Sequence, residues 1–204
     1  MIDPYADIAA LKLEPRARGW QNSHSAALAE NVARARVVIE VGSFMGASVS
    51  WMAHHNPEAR FYCVDTFLGS PEISAADLDN IPYQHGRLML LERFLSNMVA
   101  DGIADRVTPI IQTSASGAKI LRAQGVSADL IYVDAGHDYL ECYADLVSYL
   151  GLLAKGGVMI ADDYDGFPGV RGAVERFAVE AGMLCEIVYG QAVMRQRYRL
   201  QVEG

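Results

Sequence analysis

Three carboxylates and an imidazole stand where two strongly apolar runs stop. ADLIYV runs into Asp134, with His137 close behind, and GGVMIA runs into Asp162 and Asp163. Burying such acids is costly unless they are paired or bind a metal. An all-oxygen set suits a hard cation such as Mg²⁺, whereas a soft metal would ask for Cys or more His. For any single acid, a helix cap or a solvated side chain is the simpler reading. Three on one rim beside a histidine favour metal. An unperturbed histidine can accept a proton at neutral pH, which makes His137 a candidate base; an ordinary turn histidine is the alternative. His54-His55 stands at a helix end and reads as a C-terminal cap interaction instead.

A second constellation precedes this one. VVIEVGSFMGAS (37–48) leaves an apolar run at Gly42, reaches Gly46 four residues later, and has Ser48 behind it. The backbone N–H groups of such a turn, with the helix start that follows, suit a ligand with an anionic tail. Asp65 ends the next apolar run, where an acid hydrogen-bonds ribose hydroxyls. Together they read as a site for a nucleoside-bearing cofactor. The glycines are expected to let the backbone approach that ligand. The dinucleotide pattern GxGxxG is missing, because Ser43-Phe44-Met45 separates the glycines, and this counts against NAD.

These residues need elements to position them. Strands are expected at 35–41, 59–65, 106–112, 128–134, 156–163, 183–189 and 192–200, and helices at 23–34, 47–55, 87–101, 115–124, 139–153 and 169–181. Most of the strands are dense in Val and Ile rather than alternating, as strands buried on both faces should be. The alternation of strand and helix predicts an α/β fold with a mostly parallel seven-stranded sheet and helices on both faces. The short gap at Tyr189-Gly190-Gln191 predicts an antiparallel edge hairpin. Ligands on such sheets bind outside the carboxyl ends of the strands, where both constellations fall. The stretch 67–86 is long for a connection and reads as a substrate lid or a surface insertion.

At 204 residues the chain is expected to form one domain, 1–204, with 1–35 as an N-terminal helical segment. A net charge of −8 argues against nucleic acid as a partner. The alternating Arg195, Arg197 and Arg199 read as a solvated strand face. Cys63, Cys142 and Cys185 are odd in number and far apart, which fits free buried thiols in a reducing cytosol. The first residues lack the pattern of a signal peptide, and no apolar run is long enough to span a membrane. The chain is therefore expected to be cytoplasmic, with a small-molecule acceptor, no membrane partner, and a homodimer as a compatible assembly.

The combination of motifs resembles a known family. EVGSFMGAS (40–48) is similar to the first motif of class I S-adenosylmethionine-dependent O-methyltransferases, especially the catechol type. VDTFLGSP (64–71), VDAGHDY (133–139), GGVMIADDY (156–164) and PGVRGAV (168–174) resemble the macrocin O-methyltransferase type. The resemblance covers 36 to about 182 and implies a Rossmann-like methyltransferase fold. It implies S-adenosylmethionine bound by Glu40, Gly42, Ser43, Gly46, Ser48, Asp65, Thr66, Ser114 and Asp134. Gly42 and Gly46 would line its methionine part, Ser48 would bind the carboxylate, Asp65 the ribose, and Ser114 would lie by the adenine. Asp134, Asp162 and Asp163 would hold Mg²⁺, and His137 would be the catalytic base. The segment before Val37 does not follow the sugar-modifying members.

The implied reaction is in-line displacement on a hydroxyl of a sugar, phenol or natural-product diol. The metal lowers the hydroxyl's pKa and His137 takes its proton. Tyr139, Tyr164 and Trp20 are candidates to border the acceptor, with core packing as the alternative. Two rivals stand beside this reading. One is an NAD-dependent oxidoreductase, which would want the third glycine. The other is a catalytically silent cofactor-binding module, which has no need of a base and a metal site.

Overall fold

The computed structural model describes residues 3–6, 8, 26–70, 81–84 and 86–197. In chain order the elements are α1 (Ala26–Val32), β1 (Val37–Val41), α2 (Ala47–His55), β2 (Arg60–Asp65), β3 (Tyr83–Gln84), β4 (Arg87–Leu88) and α3 (Leu90–Ala100). There follow β5 (Val107–Ile111), α4 (Ser114–Ala123), β6 (Ala128–Val133), α5 (Tyr139–Leu150), β7 (Leu153–Ala161), α6 (Pro168–Glu180), β8 (Met183–Val188) and β9 (Gln191–Gln196).

Seven strands form one sheet in the order β5-β2-β1-β6-β7-β9-β8. The first five run parallel, and β9 is antiparallel to both β7 and β8. Alternate residues serve opposite cores. Val38, Phe61, Leu130, Tyr132 and Ile160 pack against α1, α2 and α3. Ile39, Val41, Ile131, Val133 and Met159 pack against α4, α5 and α6. Parallel strands covered on both faces bury side chains on both, so the apolar runs of the central strands are close to continuous. β8 and β9 are joined by Tyr189 (φ 49°) and Gly190 (φ 81°). Two positive φ values in a two-residue loop match the twist of the paired strands.

Several boundaries differ from expectation. β7 starts at Leu153 and runs through Gly156-Gly157, where a Cβ on Gly157 would crowd Leu153 and two backbone carbonyls. α5 accordingly stops at Leu150, and α3 starts only at Leu90. Tyr83–Gln84, near the end of the expected lid, pairs antiparallel with Arg87–Leu88 just beyond it. Of that stretch, 71–80 and 85 lie outside the described residues, as do Trp20, the first three residues of the expected helix 23–34 and the strand beyond Arg197. Cys63 and Cys142 are free and buried as expected, but Cys185 is exposed on the edge strand β8. No helix among the described residues is long and apolar enough to cross a membrane.

The glycine at the exit of β1 is held by protein. Gly42 has φ 88°, and a Cβ there would overlap the Asp134 carbonyl and the Ala135 backbone. Gly42→Ala should therefore lower stability by about 2–4 kcal/mol, from backbone strain plus overpacking. Urea unfolding of the two proteins measures it, and a loss below about 0.5 kcal/mol would show that the two strand exits can separate at little cost.

Candidate active site

The parallel ladder continues one step past the strands and builds a common rim. Gly42 N donates to Val64 O at 2.9 Å, Gln112 N to Asp65 O at 3.1 Å, Asp134 N to Val41 O at 2.8 Å and Asp162 N to Val133 O at 2.9 Å. A pocket of about 550 Å³ opens over this rim. Of the residues implied by the sequence, Gly42, Ser43, Ser48, Asp65, Thr66, Ser114, Asp134 and His137 line it. Glu40, Gly46, Asp162 and Asp163 lie outside its lining. Tyr139 and Tyr164 do not border it either: Tyr139 stacks on Tyr143 with centroids 6.2 Å apart, and the Tyr164 hydroxyl donates to Glu175 at 3.0 Å.

The turn after β1 is clamped from several sides. Gly46 has φ 89°, and a Cβ there would overlap the end of Met98 and crowd the Phe94 ring. Asn97 on α3 donates to Met45 O at 2.8 Å. Neighbouring protein thus excludes a side chain at both glycines, and Gly42 also lines the pocket. Beneath the turn, Glu40 is fully buried between Cys63 and Tyr132, its register partners on β2 and β6. Ser48 donates its hydroxyl to Glu40 Oε1, while Glu40 Oε2 has no hydrogen-bond partner among the described residues. Burial pushes the Glu40 carboxyl up to about 7; Ser43, Ser48 and Cys63 pull it down, and Asp65 adds to the rise.

Asp65 ties two loops together. Its Oδ2 accepts from Phe44 N at 2.9 Å and its Oδ1 from Phe67 N at 2.7 Å. Both phenylalanines have positive φ, 46° and 53°. Such residues persist only where surrounding contacts fix them, and the carboxylate supplies one contact to each. Thr66 is used locally, accepting from Leu68 N at 3.3 Å. One strand further out, Thr113 caps α4 through Ser116 N at 3.4 Å, and Ser114 donates its hydroxyl to Asp145 Oδ1.

Asp145 and Glu141 line the pocket and were not anticipated from the sequence. They lie four apart in YLECYADL, on one face of the helix that follows the Asp134 loop. That spacing was the signal available.

The acid cluster takes a different shape from the expected trio. Asp134, His137 and Asp163 bring donor atoms within 4.8 Å of one another. Asp162 instead accepts from the Tyr132 hydroxyl at 2.5 Å and from Gln191 Nε2 at 3.0 Å. Asp163, with φ 57°, opens a turn whose Phe167 stacks on His137 at 4.0 Å and 10°. His137 Nε2 lies 3.0 Å from Asp163 Oδ2. Gly169 at the start of α6 packs on the His137 carbonyl so closely that a Cβ would overlap it. Burial raises the Asp134 carboxyl well above its usual range; Asp162, Asp163 and Glu40 add to this and His137 opposes it. His54 and His55 meet carbonyls of their own helix, Ser50 O at 2.7 Å and Trp51 O at 2.9 Å.

The raised Glu40 carboxyl carries a stability signature. Between the ordinary value of 4.5 and about 7, the folded protein binds a proton that the unfolded chain releases. Stability from this group is thus present at the acid end and is lost as pH rises through about 7. A shift of that size is worth about 3 kcal/mol at most. In apoprotein, Glu40→Gln should flatten this part of the profile between pH 5 and 8 and raise Tm at pH 8. Melting curves across that range check it, and an unchanged slope would exonerate Glu40.

The family model described as Methyltransferase domain matches residues 39–164, from β1 to just past the acid cluster. CalS11, a calicheamicin methyltransferase, is 21% identical with a TM-score of 0.58, over 83% of this chain and 76% of that one. The O-methyltransferase from Bacillus cereus, in complex with SAH, is 16% identical with a TM-score of 0.61, over 97% and 92%. TomG, an O-methyltransferase of tomaymycin synthesis from Streptomyces achromogenes in complex with SAM, is 16% identical with a TM-score of 0.62, over 95% and 88%. No curated protein matches by sequence. At these identities the structures establish a shared fold, while the domain match spans both constellations and more than half of the residues. The chain belongs to the methyltransferase-domain family.

Proposed function

We propose that this protein transfers a methyl group from S-adenosylmethionine to a hydroxyl of a small molecule, with a divalent cation at the acid cluster. The observation that carries the reading is one shared pocket: Gly42, Ser48 and Asp65 line it together with Asp134 and His137. The neighbours solved with SAM or SAH share this fold and support the choice of donor.

S-Adenosylmethionine supplies a methyl group on a positively charged sulfur. The chain's task is then to place the donor and an acceptor oxygen in line, and such positioning supplies much of the rate. Gly42 and Ser43 present the turn to the amino-acid end, the start of α2 faces its carboxylate, and Asp65 faces the ribose. The fit to a divalent cation rests on charge and donor chemistry. Asp162, Asp163 and Glu40 all act on Asp134, and the opposing group is His137 alone among the causes of its shift. Asp134 and Asp163 would hold the cation, with Asp162 behind them on Tyr132 and Gln191. Bound there, it would lower the pKa of an acceptor hydroxyl. Mg²⁺ is the ion that this carboxylate set suits best. His137 accepts the proton of that hydroxyl, and Asp163 at 3.0 Å steadies the imidazolium that results.

Two outcomes test this reading. S-Adenosylhomocysteine should raise Tm while NAD leaves it unchanged, and Asp65→Asn should weaken S-adenosylhomocysteine binding about tenfold or more. A response to NAD alone would return the site to oxidoreductase chemistry. His137→Ala should lower kcat by about 10²–10⁴ with little change in S-adenosylhomocysteine affinity. A chelator should abolish turnover of a diol acceptor and Mg²⁺ should restore it. Full turnover in excess chelator would remove the cation from the mechanism.

A further inference from the structure

Phe167 is a side chain that neither helix capping nor burial accounts for. It is the N-cap of α6, with φ −127° and ψ 119°, and it makes no side-chain capping bond. That position favours Ser, Thr, Asp or Asn, whose oxygens reach the open N–H groups of the first turn. The ring is 38% exposed, so it gains less from leaving water than a core phenylalanine does. It also lies outside the lining of the pocket. What the ring does is lie flat on His137, with centroids 4.0 Å apart and planes within 10°.

The same turn grips the imidazole along its edge. Asp163 opens the turn and Phe167 closes it. Gly166 N and Phe167 N both donate to Asp163 O, at 3.1 and 3.0 Å. Asp163 Oδ2 lies 3.0 Å from His137 Nε2. The backbone beneath the imidazole is fixed as well. A Cβ on Gly169 would overlap His137 O and Tyr139 N, and one on Gly172 would crowd the Tyr139 ring. One turn and the helix start behind it therefore meet His137 at its edge, its face and its backbone. A carboxylate at one ring nitrogen leaves the imidazole able to swing about that contact. A flat ring stacked on its face removes this freedom.

We infer that Phe167 is a positioning residue, whose ring fixes the plane of the His137 imidazole and so aims the base at the acceptor hydroxyl. This rests on the reading of His137 as the base and names what orients it. Phe167 acts through His137 and takes no direct part in methyl transfer. A general base works only within reach of the proton it removes. A misplacement of about 1 Å can cost on the order of 10²-fold in rate.

The test has two arms on the full chain. In apoprotein, NMR relaxation of the His137 ring, assigned by the loss of its signals in His137→Ala, reads how firmly the imidazole is held. Phe167→Leu keeps an apolar side chain and removes the flat face; the ring's order parameter should fall from the rigid range to below about 0.6. The second arm supplies S-adenosylmethionine, Mg²⁺ and a diol, catechol or methyl α-D-mannopyranoside. There Phe167→Leu should lower kcat about 10- to 100-fold, with KM for the diol and S-adenosylhomocysteine affinity little changed. Phe167→Tyr keeps the flat ring and should restore both readouts. In a His137→Ala background, Phe167→Leu should cost nothing further. Melting curves establish that the variants are folded, and Phe167→Met serves if the leucine variant is not. A raised KM with kcat unchanged would make the ring an acceptor contact. An equal kcat loss in the His137→Ala background would make its effect independent of the base. An imidazole just as rigid without Phe167 would leave the ring nothing to position. Each of these overturns the inference. Failure of the base reading shows differently, as full kcat in His137→Ala. The relaxation arm needs no acceptor, so it decides the positioning even where neither diol is turned over.

Discussion

The site depends on the contact of two backbones where β1 and β6 leave the sheet. Gly42 lies against the Asp134 carbonyl with no room for a side chain. Asp134 N donates to Val41 O across these two exits, and Gly42 N donates to Val64 O to tie the same turn to β2. That contact sets the glycine turn and the acid cluster side by side over a single pocket. Neither constellation would face the other if the strands parted by the width of a methyl group. Packed interiors transmit such displacements because they hold little void to absorb them.

Around this contact the protein concentrates negative charge and backbone strain. Glu40, Asp65, Asp134, Asp162 and Asp163 all gather at or just beneath the rim. Phe44, Phe67 and Asp163, all with positive φ, border the same region. Each is held by a specific bond or stack: Phe44 and Phe67 by Asp65, and the turn at Asp163 by Phe167 against His137. A rim built this way is preorganised for a ligand carrying positive charge, because its donors and acceptors are fixed before anything binds.

Much of this was legible in the sequence. VVIEV, FYCVD and ADLIYV were placed to within a residue or two, because a double-faced sheet demands unbroken apolar runs. The hairpin at Tyr189-Gly190 followed from its length. Other features were hidden for physical reasons. β7 includes Gly156-Gly157, which local propensity reads as a break and tertiary packing tolerates. The strands at 83–88 are too short to show a period. The contact of Gly42 with the Asp134 carbonyl was hidden because sequence tells that a side chain is excluded, not by what. Asp162 looked equivalent to its neighbour Asp163. Consecutive residues on a strand exit point to opposite sides, and Asp162 turns toward Tyr132 and Gln191. Asp145 and Glu141 share a helix face by their spacing in YLECYADL, but that spacing does not say which way the face of α5 points.

The strand order also sets an order of assembly. β9 enters the sheet between β7 and β8, so β7 gains its second neighbour only after β8 has been made. Gln191 opens β9 and lies 29 residues along the chain from Asp162. The β1–β2 pairing closes a shorter loop through α2, and local contacts of that kind form sooner in folding. The half of the rim around Gly42 and Asp65 can thus take shape while the other half is unfinished. The Gln191 partner of Asp162 arrives only with β9, the one strand that runs against the rest of the sheet.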